Sequence, residues 1–251
     1  MPFLRNILFL LAFLPGAALI TLLIALVSPF SAKAIVWGSH KWSVWFVWCA
    51  RVFHGVDLVI RGDIPQSGVI VALKHQSAFE TFLTLFLFDW PAVVMKAELR
   101  KIPVWGYVSW RHGSIFVERN KGGAALKSML RQARQRVGEG RPIVMFPEGT
   151  RVPAGECPPL KAGLFAVYSV LKLPVVPVAL NSGLVWGKAA LRQRGTVTLA
   201  FQQAVPPGLP REDFEARVHA AINADPVSVA PVLVAPVLVA PVLVAPVLVA
   251  L

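Results

Sequence analysis

The hydrophobic positions of the chain form a long apolar run, then an aromatic-rich stretch, then a series of short runs. The first run extends from Ile7 to Phe30 and is long enough to cross a bilayer core of about 30 Å. We predict a retained membrane helix, which Pro15 and Gly16 allow to be kinked or re-entrant. The alternative is a secretory signal peptide, because Arg5 precedes the run and SAKA, which resembles a cleavage site, follows it.

The aromatic-rich stretch holds four of the eight tryptophans, at positions 37, 42, 45 and 48. Tryptophan favours the membrane interface, where its ring lies among apolar groups and its N–H meets water. A second buried or membrane-spanning helix explains the stretch equally well. In either case we predict that residues 1–55 form a hydrophobic, membrane-docking helical module. Basic residues precede the first acidic one, Asp57, so the positive-inside bias places the following chain in the cytoplasm.

From Val56 onward, short apolar runs alternate with longer stretches of helical periodicity. The clearest helix covers residues 122–138, where Leu126, Met129 and Val137 lie near one face. This alternation predicts an α/β fold over residues 56–223, with a mainly parallel mixed sheet flanked by helices. In such a sheet, chemistry gathers in loops beyond the carboxyl ends of the strands. The apolar runs are VDLVI, GVIVAL, AVVM, SIFV, PIVMF, VVPVAL and TVTLAF.

Residues 224–251 have a different composition, since APVLV occurs four times between Ala230 and Val249. A proline every five residues forbids a continuous helix, so this apolar segment cannot cross a membrane as one. We predict a low-complexity tail without a catalytic role.

Composition narrows the classes of partner. Hydrophobic residues make up 56% of the chain, the mean hydropathy is +0.63 and the formal net charge is +12. A basic chain suits nucleic acid, an anionic membrane or an acidic substrate. The basic residues are dispersed and the aromatic ones crowd near the N-terminus, which favours a membrane and argues against nucleic acid. Cys49 and Cys157 lie in unrelated contexts, so we expect a reduced, cytoplasm-facing protein.

The first motif that carries chemistry is HQSAFE, residues 75–80, after the predicted strand at 68–73. A neutral His75 could take a proton from an alcohol, although a lone histidine is more often structural. Ser77 and Glu80 match the S-x-x-E capping box, in which Glu80 folds back to the backbone N–H of Ser77. Glu80 can also meet His75 if His75 lies in the turn before the helix. Both roles of Glu80 therefore stay open.

The second motif is GSIFVER, residues 113–119. Gly113 allows a tight turn into the predicted strand, and Arg119 emerges at its end. An arginine fork in this position suits bidentate binding of a phosphate. The alternative is a solvated surface arginine.

The third motif, FPEGTR, occupies residues 146–151 after the predicted strand PIVMF. Its glycine permits close backbone approach, and its threonine and arginine offer a hydroxyl and a second cation. A structural salt bridge between the glutamate and an arginine is the alternative. The candidate residues here are Glu148, Gly149, Thr150 and Arg151, with Lys161 as a further candidate for the same basic surface.

A fourth motif, LPVVPVAL at 173–180, predicts an apolar strand whose valines suit core packing or, alternatively, the wall of an acyl-chain channel. Three other kinds of site lack their sequence signals. There is no HExxH or other metal-ligand set, no G-x-S-x-G of serine hydrolases and no phosphate-binding G-x-x-x-x-G-K-[ST]. We therefore expect no metal site.

Taken in order, the four motifs resemble the 1-acylglycerol-3-phosphate O-acyltransferase family of bacterial type, over roughly residues 56–205. The segment KAELRKIPVWG, residues 96–106, is also similar to that family. Two features depart from the family pattern. The family usually has aspartate where this chain has Glu80, and the APVLV tail has no counterpart.

The resemblance implies a reaction and a role for each residue. His75 would act as general base on the 2-hydroxyl of lysophosphatidate, with Glu80 holding the imidazole. The hydroxyl would attack the thioester of acyl carrier protein (ACP) or coenzyme A (CoA), so that phosphatidate forms without a cofactor. The implied ligands of the glycerol phosphate are Arg119, Glu148, Gly149, Thr150 and Arg151, with Lys96 and Lys161 as further candidates.

The resemblance also implies a bacterial inner membrane location, with the catalytic domain facing the cytoplasm and membrane lipids as partners. Two other functions fit the same residues. One is acylation of another lyso-lipid, such as lyso-ornithine lipid. The other is a membrane-anchored lipid-binding protein with an inactive acyltransferase-like fold.

Overall fold

The N-terminal apolar run forms one continuous helix. In the computed structural model, which describes residues 2–187 and 192–228, helix α1 extends over Pro2–Val27 and includes Pro15. Among the described residues, it is the one helix long and apolar enough to cross a membrane, which favours membrane association. One face of α1 is buried at intervals of three or four residues, as an amphipathic packing face requires. The buried positions are Phe9, Phe13, Ala17, Thr21 and Ile24.

Helix α2, Ala32–Cys49, carries the tryptophan-rich stretch and packs beside α1. Trp42 is buried, Trp45 and Trp48 are half-buried, and Trp37 remains 63% exposed. The tryptophans are thus divided between the protein interior and its surface. A π-helical turn, Ala50–His54, leads from α2 into the sheet.

Close contact between α1 and α2 depends on two glycines. A Cβ atom added at Gly16 would lie 2.4 Å from the indole nitrogen of Trp45. One added at Gly38 would lie 2.5 Å from Cγ1 of Ile24. Since real Cβ atoms do not approach so closely, larger residues at either position would separate the helices.

The predicted α/β sheet is confirmed, and each of the seven apolar runs contributes one strand. The strand order is β1-β7-β6-β2-β5-β3-β4, and every pair is parallel except β6 with β7. Strand β6 is buried at every position, which supports core packing for the LPVVPVAL motif. The strands are β1 Val56–Arg61, β2 Ile70–Leu73, β3 Ala92–Lys96, β4 Ile115–Val117, β5 Ile143–Met145, β6 Val175–Leu180 and β7 Gly195–Phe201.

Helices cover both faces of the sheet. Residues of α1, α2 and α3 share one apolar core with one face, while α5, α6 and α8 pack on the other. Helix α5 has the predicted bounds of residues 122–138. The remaining helices are α3 Phe79–Leu87, α4 Trp105–His112, α5 Gly122–Gly138, α6 Ala162–Leu171, α7 Ser182–Val185 and α8 Arg211–Ile222, with 3₁₀ turns at Ala97–Lys101 and Arg119–Lys121.

The N-terminal helices and the sheet share buried aromatic contacts. The ring of Phe46 on α2 lies 5.6 Å from Phe13, 5.2 Å from Phe79 and 5.6 Å from Trp186, between ring centroids. The division into residues 1–55, 56–223 and 224–251 stays a prediction. The repeat segment of the tail lies outside the described residues.

We expect Gly106→Ala to destabilise the fold, because a Cβ atom there would lie 2.1 Å from the carbonyl oxygen of Arg100. Overpacking of this kind lowers the free energy of unfolding by about 1–3 kcal/mol. The matched control is Gly123→Ala on α5, where a Cβ atom would have no neighbour within 4 Å. It should be neutral or stabilising by up to about 1 kcal/mol. Thermal unfolding in detergent measures both variants, and equal midpoints would contradict the expectation.

Candidate active site

The candidate residues meet at one edge of the sheet. Strands β6, β2, β5, β3 and β4 are neighbours and run parallel, so their carboxyl ends lie side by side. The residues that follow those ends come from distant parts of the sequence. They are Lys74 and His75 after β2, Glu148 after β5, Arg119 after β4 and Ser182 after β6, with Lys96 at the end of β3.

Helix α3 begins just after His75. Its capping position is Ala78, one residue later than the S-x-x-E pattern predicts. The bond that the pattern predicts for Glu80 is nevertheless present, since its carboxylate accepts from the Ser77 N–H at 2.6 Å. The Ser77 hydroxyl accepts from the Phe79 N–H at 3.0 Å. His75 therefore lies in the turn before the helix, and its Nδ1 is 3.0 Å from Oε1 of Glu80. The two roles considered for Glu80 are compatible.

The Glu80 carboxylate is fully buried and accepts hydrogen bonds on both oxygens. Besides His75 and the Ser77 N–H, Oε1 accepts from the Gln76 N–H at 2.6 Å. The hydroxyls of Ser77 and Ser182 each lie 2.6 Å from Oε2. Burial alone would raise the pKa of Glu80, but His75 and the two hydroxyls hold it below its ordinary value. The carboxylate is thus kept ionised beside the imidazole.

The imidazole of His75 is held from two further directions. Its ring packs on Phe146 with 4.3 Å between centroids, and its backbone N–H donates to Oε2 of Glu148 at 2.6 Å. The side chain is 14% exposed and lines a cavity. With Nδ1–H donated to Glu80, the neutral ring presents Nε2 as its acceptor. This arrangement suits removal of a proton from a bound hydroxyl.

Glu148 packs against the loop that carries His75, and its side chain is 1% exposed. Its Oε1 is 3.3 Å from Nζ of Lys74, so its ion pair is with a lysine and not with an arginine. Lys74 also donates to the side chain of Asn223 and, at 3.2 Å, to the carbonyl of Glu156. Burial raises the pKa of Glu148, and the His75 N–H and Lys74 oppose that rise. Glu148 therefore holds the backbone of His75 from the protein interior, and it forms no ion pair with the exposed cations.

Three exposed side chains, Lys96, Arg119 and Arg151, line the mouth of the cavity and form what we call the cationic rim. Within residues 2–187 and 192–228, none of them belongs to an ion pair. Arg119 donates to the carbonyl of Gly149, which has a φ of 69°. A site with free positive charge and backbone turns of this kind suits an anion such as phosphate.

Two other predicted residues lie near the rim. Thr150 lines the cavity and is exposed. Lys161 is exposed beside the Gly149 turn, where its Cγ would lie 3.1 Å from an added Cβ, and its side chain stays outside the cavity lining. In the described part of the chain, no group of three or more His, Cys, Asp or Glu could hold a metal ion.

The cavity has a volume of about 510 Å³ and extends from His75 across the face of β3. Its walls come from α1, α2, α3, α4 and β3, so the N-terminal helices help to enclose it. Most of the wall is apolar, which suits a hydrocarbon chain. The larger apolar wall residues are Ile24, Trp42, Phe82, Leu85, Val94, Met95, Leu99, Trp105 and Val108.

One residue of this site that lies outside the motifs is Ser182. It begins α7 immediately after β6, and it is fully buried against Glu80. The one feature of the sequence that could have indicated Ser182 is its position just after the predicted strand at 173–180. A single serine there carries no pattern, however, and 102 residues separate it from Glu80. Gln76 was also missed, although its side-chain oxygen accepts from the Gly183 N–H at 2.9 Å and ties α7 to the His75 loop.

Comparison with known proteins decides the family. The model of the acyltransferase family matches residues 53–181, which include all four sequence motifs and end one residue before Ser182. The chain belongs to the acyltransferase family.

Individual acyltransferases agree with this assignment. A 1-acyl-sn-glycerol-3-phosphate acyltransferase of Pseudomonas aeruginosa is 30% identical over 77% of this chain and 82% of that protein. A 1-acyl-sn-glycerol-3-phosphate acyltransferase of Cocos nucifera is 32% identical over 56% of this chain. The match covers 46% of the Cocos nucifera protein, which is less than half of its length. The crystal structure of the 1-acyl-sn-glycerophosphate acyltransferase PlsC of Thermotoga maritima has the same fold, with a TM-score of 0.71 and 24% sequence identity. The superposition covers 89% of this chain and 95% of the Thermotoga chain.

We expect Ser182→Ala to weaken both the fold and the chemistry of this acyltransferase. The change removes one of two hydroxyls on Oε2 of Glu80 and leaves a buried carboxylate short of a donor, at a cost of about 1–3 kcal/mol in unfolding free energy. The matched control is Ser169→Ala, whose hydroxyl is exposed on α6. Thermal unfolding and the acyl-transfer rate are measured for both. If the two variants behave alike, the Ser182 hydroxyl does not support Glu80.

Proposed function

We propose that this acyltransferase moves a fatty acyl group from a thioester to the 2-hydroxyl of 1-acylglycerol 3-phosphate, forming phosphatidate. The observation that carries the proposal is the bond between His75 Nδ1 and Glu80 at the mouth of an apolar cavity, beside the cationic rim. The named activities of the Pseudomonas and coconut relatives support the same substrate.

In the proposed reaction, Nε2 of His75 takes the proton of the 2-hydroxyl as the oxygen attacks the thioester carbon. The new C–O bond forms, the C–S bond breaks, and the departing thiolate takes the proton back from the imidazolium. Glu80 keeps Nδ1–H in place and stabilises the imidazolium by charge attraction. Because it is buried and ionised, the carboxylate acts at close range in a medium of low dielectric constant.

We assign the phosphate of the acceptor to the cationic rim. Arg119 and Arg151 offer guanidinium forks, Thr150 offers a hydroxyl, and Gly149 permits close approach of the backbone. Lys96 adds a third charge at the mouth, and Lys161 lies at the edge of this surface. Glu148 contributes by holding the backbone of His75. Three cations that form no ion pair within the described part of the chain favour a phosphate acceptor over a zwitterionic one such as lyso-ornithine lipid.

The acyl chain of the thioester is assigned to the cavity, and acyl-ACP or acyl-CoA would deliver it. Helix α1 would place the mouth at the membrane, where the lipid substrate and product reside; its exposed leucines support this docking. The proposed location is the bacterial inner membrane, with the sheet domain on the cytoplasmic side.

The first test uses purified protein in detergent with lysophosphatidate and an acyl thioester, and it measures phosphatidate. We expect the parent to be active and His75→Ala to lose about 10²–10⁴-fold in rate, as for loss of a positioned base. The matched control is His219→Ala on α8, whose imidazole meets the carbonyl of Cys157 away from the cavity. It should keep parental activity. An active His75→Ala variant would end the proposed mechanism, and an inactive parent would favour a lipid-binding role.

A second test concerns the acceptor. Arg119→Ala should raise KM for lysophosphatidate by about 10- to 100-fold with a smaller change in kcat, since a charge-assisted hydrogen bond contributes about 1.5–3 kcal/mol. Arg131→Ala, an exposed arginine on α5, is the matched control and should change neither constant. Lyso-ornithine lipid is assayed in parallel. An Arg119→Ala variant with unchanged KM for lysophosphatidate would place the phosphate elsewhere.

A further inference from the structure

Neighbouring residues at the end of β2 point to opposite faces of the sheet. Side chains alternate along a strand, so Ala72 lies in the core that α8 covers and Leu73 lies in the core shared with α2 and α3. The alternation continues past the strand. Lys74 reaches the end of α8, where the side chain of Asn223 accepts from its ammonium, whereas His75 lines the cavity on the other face. The two residues are therefore held from opposite sides of the sheet.

The ammonium of Lys74 is buried, and it has one oxygen partner for each of its three N–H donors. The side chain is 5% exposed. It donates to the side-chain oxygen of Asn223 and, at 3.2 Å, to the carbonyl of Glu156, and its Nζ lies 3.3 Å from Oε1 of Glu148. A charge is stable away from water only where such partners replace the water. Each of the three partners therefore helps to fix the position of the ammonium.

The loop after β5 holds the backbone of His75, and Lys74 holds that loop. Oε2 of Glu148 accepts from the His75 N–H at 2.6 Å, and the Val152 N–H donates to the His75 carbonyl at 2.8 Å. Lys74 contacts the same loop on either side of Val152, at the carboxylate of Glu148 and at the carbonyl of Glu156. The ammonium thus closes the loop around the residue that follows it in the chain.

A second hydrogen bond orients the side chain of Asn223. The residue follows the last turn of α8, and its Nδ2 donates to the carbonyl of His219 at 2.8 Å. This bond turns Oδ1 toward Lys74, whereas a rotated amide would present an N–H to the ammonium. The same helix meets the loop at another point, where Nε2 of His219 lies 3.1 Å from the carbonyl of Cys157. None of the four sequence motifs includes Asn223.

We infer that Asn223 is a positioning residue for the general base. By holding the ammonium of Lys74 on one face of the sheet, it keeps the loop after β5 closed around His75 on the other face. The inference rests on the proposed acyl transfer, in which His75 takes the proton. Asn223 does not line the cavity, so it acts only through other residues. A displaced imidazole slows the reaction, because the rate depends on the alignment of the reacting atoms.

Two substitutions separate the two bonds of the Asn223 side chain. Asn223→Leu removes both bonds, whereas Asn223→Asp keeps an oxygen for Lys74 and loses the donor to His219. We expect kcat for phosphatidate formation to fall about 10- to 100-fold in Asn223→Leu and to stay near the parental value in Asn223→Asp. KM for the acyl thioester should not change in either variant, since the cavity lies on the other face of the sheet.

The matched control is His219→Ala on the same helix. It removes the ring contact with Cys157 and keeps the backbone carbonyl that orients Asn223, so every partner of Lys74 stays in place. This variant should retain the parental kcat.

A double-mutant cycle tests whether Asn223 acts through Lys74. Lys74→Met removes the ammonium and nearly keeps the length of the side chain, and it should lower kcat at least as far as Asn223→Leu does. Adding Asn223→Leu to Lys74→Met should then change kcat by less than about twofold, because residues that act through one contact are not additive. Losses that multiply in the double variant would overturn the inference.

Stability and rate are measured separately, with all rates taken well below the unfolding midpoints found in detergent. Asn223→Leu with a lowered midpoint and a parental kcat would overturn the inference and assign Asn223 only to the end of α8. Equal losses of kcat in Asn223→Leu and Asn223→Asp would overturn it as well. An inactive parent would instead contradict the proposed acyl transfer, and this inference with it.

Discussion

The buried carboxylate of Glu80 is the constraint on which the site depends. A carboxylate removed from water must be paired and hydrogen-bonded, or it takes up a proton. Its partners come from the loop between β2 and α3 and from the start of α7 after β6. These segments can meet only where the parallel strands end together. The orientation of the His75 ring is a consequence of satisfying Glu80.

A second buried carboxylate fixes the other side of His75. Glu148 accepts the backbone N–H of His75 and pairs with Lys74, which reaches Asn223 at the end of α8. Glu80 therefore positions the ring of His75, and Glu148 positions the backbone of the same residue. The exposed cations next to this pair have no such internal partners among the described residues, which leaves their charge available to an anion.

Sequence reasoning found what is local and periodic. The apolar runs marked the strands of the sheet, the helix at 122–138 had the correct bounds, and the HQSAFE spacing placed Glu80 beside His75. It did not distinguish the buried Glu148 from the exposed residues of the same motif, because burial depends on the strand neighbours and on Lys74. It also missed Ser182, whose role depends on two parallel strands ending side by side. The acyl-chain channel considered along LPVVPVAL was misplaced, since no residue of 173–180 lines the cavity and its walls join helices that are distant in sequence.

The cavity connects the two N-terminal helices to the chemistry of the site. Thr21 and Ile24 of α1 and Ser39 and Trp42 of α2 form part of its wall, and the same helices share an aromatic core with α3, which supplies Glu80. The spacing of α1 and α2 is set by glycine contacts, so a change in that spacing alters the width of the cavity. A segment that sequence alone describes as a membrane anchor therefore also shapes the space next to His75. The proposed docking to lipid and the shape of the cavity thus involve the same pair of helices.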